Sequence, residues 1–122
     1  MTHNRRGIVL SITLGLLGCA SARGQYRFSP SAMAPRAPAR SPTCEFSVTA
    51  TVPSAGYEEV GLIEFQTGRG TNTAADYHDA IAPQVCAAAG DLVVGQISNN
   101  GTYIRGVVMR RTEPTAPAAG AQ

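Results

Sequence analysis

Apolar periodicity is confined to one stretch of this 122-residue chain, Cys44 to Thr112, and its period changes twice along the way. Phe46, Val48, Ala50 and Val52 alternate with Glu45, Ser47, Thr49 and Thr51, the period-two pattern of a half-buried strand. Pro53-Ser54-Ala55-Gly56 reads as a turn, and Tyr57–Gln66 as a second strand with a blurred alternation. After a loop carrying Gly68 and Gly70 the spacing becomes helical, with Ala75, His78, Ala82, Val85, Cys86 and Ala89 recurring. Thr71 or Thr73 can cap the start of that helix, and Gly90 can close it at positive φ. Pro83 removes one backbone donor from the run, so either the helix kinks there or the main helix begins with Pro83 in its first turn. Asp91–Ile97 contains the buried-strand run LVVG, and Asn100-Gly101 signals a tight hairpin. Tyr103–Arg111 returns, with Tyr103, Val107 and Met109 expected on one face and Ile104 and Val108 on the other. The order β-β-α-β-β predicts an α+β fold: a small two-layer domain over 44–112, one helix packed on a mainly antiparallel four-stranded sheet.

Residues 20–43 are rich in Ala, Ser, Pro and Arg, with Pro30, Pro35, Pro38 and Pro42 and no apolar period. Such a composition buries too little surface to offset its ordering entropy, so 19–43 is expected to be a disordered tether. In an extended polyproline II conformation it would reach about 70 Å. Tyr26 and Phe28 are its only aromatics and read as passive tether residues, or as a sticky spot for a partner. The tail 113–122, EPTAPAAGAQ, is expected to be disordered as well.

The N-terminus joins Arg5-Arg6 to an apolar run from Gly7 to Gly18, the n-region and h-region of an export signal over 1–18. The run falls short of the about 20 apolar residues that a membrane span needs. It ends Leu16-Leu17-Gly18-Cys19, which resembles the lipobox of bacterial lipoproteins. That resemblance implies diacylglycerol on the Cys19 thiol, cleavage before Cys19 and a further acyl chain on the freed amine. Two or more chains anchor stably where one does not. Ala20, in place of aspartate, implies sorting to the outer membrane. A plain secretory signal cut after Ala20 or Ala22 is the alternative.

With Cys19 taken by lipid, the resemblance leaves Cys44 and Cys86 as a pair, and an oxidising envelope favours a Cys44–Cys86 disulfide over two buried thiols. The run Ala87-Ala88-Ala89-Gly90-Asp91-Leu92-Val93-Val94-Gly95 is similar to the helix-to-strand junction of small envelope domains, those of the Rcs-type stress-sensor lipoprotein and the heavy-metal-binding-like group. A lipid anchor, a proline-rich tether and a stapled domain extend the likeness. It implies an envelope component that works through protein partners, and no functional residue is carried over from it.

The ten basic residues are all arginine. Removing Arg5 and Arg6 with the signal leaves arginines and carboxylates equal in number, so no nucleic-acid footprint remains. Arg110-Arg111 reads as a solvated strand end. Asp76, His78, Asp79 and Cys86 invite comparison with a metal site, but His78 and Asp79 are sequence neighbours and do not share a helix face, so no metal or other cofactor is expected. Glu58, Glu59 and Glu64 read as the wet face of the second strand. Ser47, Ser54 and Ser98 have no sequence context that makes a nucleophile with His78, and no phosphate-binding loop is present. The sequence therefore predicts a non-enzymatic envelope lipoprotein acting through protein contacts. A module binding a small molecule, metal or glycan is the alternative. The expected working surface is the sheet face free of the helix, or the loop Thr67–Asn72.

Overall fold

The computed structural model describes residues 24–112. Residues 1–23, with the expected signal over 1–18 and Cys19, and residues 113–122, with the expected tail, lie outside the described residues. Six elements follow in order: β1 (Gln25–Pro30), β2 (Ser47–Thr49), β3 (Tyr57–Thr67), α1 (Ala74–Ala87), β4 (Leu92–Ile97) and β5 (Tyr103–Arg111). The strands form one sheet in the order β1-β3-β5-β4-β2, and α1 packs on one of its faces. The α+β class holds, but the sheet has five strands rather than four and is mixed rather than antiparallel.

The fifth strand comes from the segment expected to be a tether. β1 pairs antiparallel with β3, Tyr26 opposite Phe65 and Phe28 opposite Ile63. Tyr26 is 6 % exposed and Phe28 packs against the same core. The rest of 24–43 is held too: Ser31 N–H donates to Val60 O, Arg40 N–H to Cys86 O, and Ala34 touches the core. The folded unit therefore includes residues 24–43 as well as 44–112.

β2 is three residues long and runs parallel to β4, with Val48 opposite Val93. Pro53–Gly56 is thus not a hairpin turn between neighbouring strands. Both edges of β3 are already bonded, to β1 and β5, which leaves β2 the free edge of β4. The expected alternation holds at Phe46 and Val48 and then lapses, Val52 standing 68 % exposed.

α1 is one continuous helix. Thr73 caps it, its hydroxyl accepting from Asp76 N–H at 3.1 Å. Pro83 lies on the exposed side, where water can meet the Asp79 carbonyl that its missing N–H leaves unpaired. The helix buries Tyr77, Ile81, Val85 and Cys86. Its C-terminus is a Schellman arrangement, Gly90 N–H donating to Val85 O at 2.9 Å and Ala89 N–H to Cys86 O at 3.0 Å. The left-handed residue is Ala89 (φ 54°), not Gly90. Gly90 is a glycine for want of space, since an added Cβ would lie 2.6 Å from Val108 and 2.9 Å from Val85.

The β4–β5 hairpin also departs from its expected form. Gly101 N–H donates to Ser98 O, Ser98 N–H donates to Thr102 O, and only Gly101 has positive φ (78°). The loop is Asn99-Asn100-Gly101, with glycine at its left-handed end. Ile97 pairs with Tyr103 and Gln96 with Arg105, so Ile104 is an extra residue on β5. That bulge inverts the alternation beyond it. Tyr103 faces the helix together with Gly106 and Val108, whereas Val107 and Met109 occupy the other face.

Ala89→Gly is expected to stabilise the domain by about 1 kcal/mol by relieving the left-handed alanine. Gly90→Ala is expected to destabilise it. Urea unfolding of the two variants beside the parent checks the sign of each.

Candidate functional site

The helix-bearing face of the sheet is filled. The central strands β4 and β5 present Gly95 opposite Gly106. A Cβ on Gly106 would lie on the Tyr77 hydroxyl, and one on Gly95 would lie 2.7 Å from the Tyr103 ring. This flat floor lets Tyr77 stack on Tyr103 at 4.4 Å between centroids, with Tyr26 edge-on to Tyr77 at 5.4 Å and to Phe65 at 5.6 Å. Burial, with the neighbouring Tyr26 and Tyr103 hydroxyls, pushes the Tyr77 phenol far up, so it stays neutral.

The Cys44–Cys86 disulfide forms, with Cα atoms 5.7 Å apart. It joins the segment before β2 to the last turn of α1, and its span of 42 residues implies a contribution of about 4 kcal/mol by loop entropy. Two arginines hold the same end of the domain. Arg110 is half-buried and not a solvated strand end: it donates to Ala88 O and Pro35 O at 2.8 Å each and to Ala89 O at 3.2 Å. It thereby places a cation against the carbonyls that end α1. Arg40 reaches from the β1–β2 connection to Asp91 Oδ1 at 2.6 Å, and Asp91 Oδ2 accepts from Arg111 N–H at 2.8 Å. Burial alone would raise the Asp91 carboxyl, but the Arg40 and Arg111 hydrogen bonds outweigh it and hold the group below its ordinary value.

The helix-free face has a different character. By the strand register Leu62, Val107, Met109, Leu92 and Val94 form its centre, across β3, β5 and β4. Leu92 and Val94 are 8 % and 9 % exposed; Leu62, Val107 and Met109 are half-buried. Around them stand Arg27, Glu59, Glu64, Arg105 and Arg111, with Arg105 3.7 Å from Glu64 and Arg111 over the Tyr57 ring at 5.9 Å. The face thus has an apolar centre, of which Leu62, Val107 and Met109 are partly open, inside a rim of both charges.

The other sequence candidates separate. Glu59 and Glu64 lie on this face, while Glu58 pairs across the strands with Arg110 on the helix side, 3.9 Å away. His78 stacks on Phe46 at 3.9 Å and its Nε2 lies 3.1 Å from Phe46 O, to which it donates. It therefore ties α1 to the β2 edge and is not simply solvated. Among the described residues no group of three His, Cys, Asp or Glu side chains converges on a metal site, and no helix is long and apolar enough to cross a membrane. The loop after β3 is tied down by Tyr26 Oη to Thr71 Oγ1 at 2.9 Å and Tyr103 N–H to Thr71 O at 2.9 Å. A groove of about 490 Å³, lined by Phe28, Ala34, Pro35, Val60, Ala88 and Arg110, opens where the β1–β2 connection meets the end of α1. Sequence reasoning missed both this groove and the part Tyr26 plays. The alternation Tyr26, Phe28 against Arg27, Ser29 was the available signal. The chain matches no protein-family model, no curated protein and no solved structure.

Asp91 gives the domain an acid limit. Its folded-state pKa is depressed, so its contribution is full above the ordinary value of 3.8 and is lost as pH falls through the lower folded value. Asp91→Asn is expected to lower stability at neutral pH and to flatten the loss below about pH 4, measured as urea midpoints across pH.

Proposed function

We propose that this chain is a bacterial envelope lipoprotein, held at the outer membrane by acyl chains on Cys19. Its small domain acts by binding a protein partner in a structural or stress-sensing role. The helix-free sheet face carries the binding part of this reading: an apolar centre of Leu62, Val107 and Met109 inside a rim of Arg27, Glu59, Glu64, Arg105 and Arg111. Surfaces of that kind accept a partner of matching shape and opposed charge. The anchor rests on the signal-like run before Leu16-Leu17-Gly18-Cys19. The Cys44–Cys86 bond supports export, because such bonds persist in oxidising compartments. No reaction is assigned: the side chains weighed for chemistry, His78 and the three glutamates, are engaged in packing and ion pairs or lie on the binding face.

The groove beside the end of α1 favours a second reading, an envelope module for a small ligand, since its about 490 Å³ falls in the size range of ligand pockets. One experiment separates the two. Photo-reactive residues at positions 107 and 109 of the full chain in its native cells are expected to give one dominant protein adduct. The same groups at positions 79 and 83, on the exposed side of α1, are expected to give none, and Leu62→Glu is expected to abolish the adduct. A folded, acylated protein that gives no discrete adduct but gains melting temperature with a small molecule would establish the second reading instead.

A further inference from the structure

The position of β1 changes where an anchored domain must sit. The chain path is fixed from Gly24 onward: Gly24 lies against the Arg69 carbonyl and the Phe65 ring, and Gln25 pairs with Thr67. Only Ala20, Ser21, Ala22 and Arg23 separate Cys19 from Gly24. Fully extended, that link carries Gly24 at most about 18 Å from the acylated residue. The longer central strands of the sheet run about 30 Å or more. One end of the sheet is therefore kept beside the bilayer.

That end is defined by the register. Gln25 opposite Thr67, Glu64 opposite Arg105 and Ile97 opposite Tyr103 bring Gly24, the loop after β3 and the β4–β5 hairpin loop together. Ile97 and Ile104 flank this hairpin, 46 % and 39 % exposed, and Ile104 stands out because it is the bulged residue. Arg27, Arg69 and Arg105 are exposed on the same half of the sheet. Apolar side chains beside arginines suit the boundary between headgroups and acyl chains. Two isoleucines are too little to recruit a free domain, but a short link supplies a high effective concentration, so a weak contact suffices.

We infer that the hairpin end of the domain, through Ile97 and Ile104, docks on the lipid surface that holds Cys19. The strands then stand upright on the membrane and the helix-free face opens sideways along it. This inference rests on the lipid-anchor reading above.

The chain contains no tryptophan, which makes a single reporter clean. Full-length Ile97→Trp and Ile104→Trp, with Met33→Trp and Val52→Trp as comparisons, would be produced with export. Their mature mass would be measured, and they would be reconstituted in vesicles of phosphatidylethanolamine and phosphatidylglycerol with or without brominated acyl chains. Docking predicts an acylated chain, blue-shifted and quenched emission at positions 97 and 104, and unquenched emission at 33 and 52. Acylated protein with no quenching at 97 and 104, or with equal quenching at all four positions, overturns the docking and leaves the anchor standing. A mature mass without acyl chains overturns the anchor and the docking with it.

Discussion

Tyr26 is the side chain on which the arrangement depends. It sits in the second position of an edge strand, yet its ring meets Tyr77 of the helix and Phe65 of β3, its hydroxyl meets Thr71, and its carbonyl accepts from Gln84 Nε2 at 2.5 Å. One residue thus joins the start of the folded chain to the sheet, the helix and the loop between them. Without it β1 would be a short edge strand ending in Pro30, with little to hold it. With it, the apolar surface of Tyr26 and part of that of Phe28 enter the core and contribute on the order of 3 kcal/mol for the two side chains.

The remainder of the domain shows how a small core is made to suffice. Gly95 and Gly106 give up side chains so that tyrosines can lie flat on the sheet. The far end of the helix has no basic residue in its own last turn; Arg110 supplies that charge from β5. The disulfide and the Arg40–Asp91 pair close the same end covalently and electrostatically. Fastening of this kind concentrates rigidity at the end holding Cys86. Both the helix-free face and the hairpin end lie outside it.

The helix with a threonine cap at Thr71 or Thr73 and the strands β3, β4 and β5 were legible in local periodicity and capping residues, and the pairing of Cys44 with Cys86 in the cysteine count once the lipobox resemblance sets Cys19 aside. Three features were not. Tyr26 and Phe28 alternate over too few residues, among prolines, to outweigh the composition of the segment. The partner of β2 is set by which sheet edge is free, and only the assembled sheet decides that. The helix closes on Ala89, whereas Gly90 is glycine because Val85 and Val108 leave no room for a Cβ, a contact between distant residues that no local signal carries. A helix-free face follows from the two-layer order, but its apolar centre depends on the bulge at Ile104 that shifts Val107 and Met109 onto it. A one-residue register change has no clear sequence signature.

β1 belongs to the domain, and the short link from Gly24 to Cys19, on which the proposed orientation at a membrane rests together with the anchor, requires it. Native-state hydrogen exchange at the amides of 25–29 tests it most directly. The structure predicts that the sheet-bonded amides among them exchange as slowly as those of β3, opening only with the whole domain. Exchange at unstructured-chain rates over 25–29, with β3 to β5 still protected, would contradict it and return the segment to a tether.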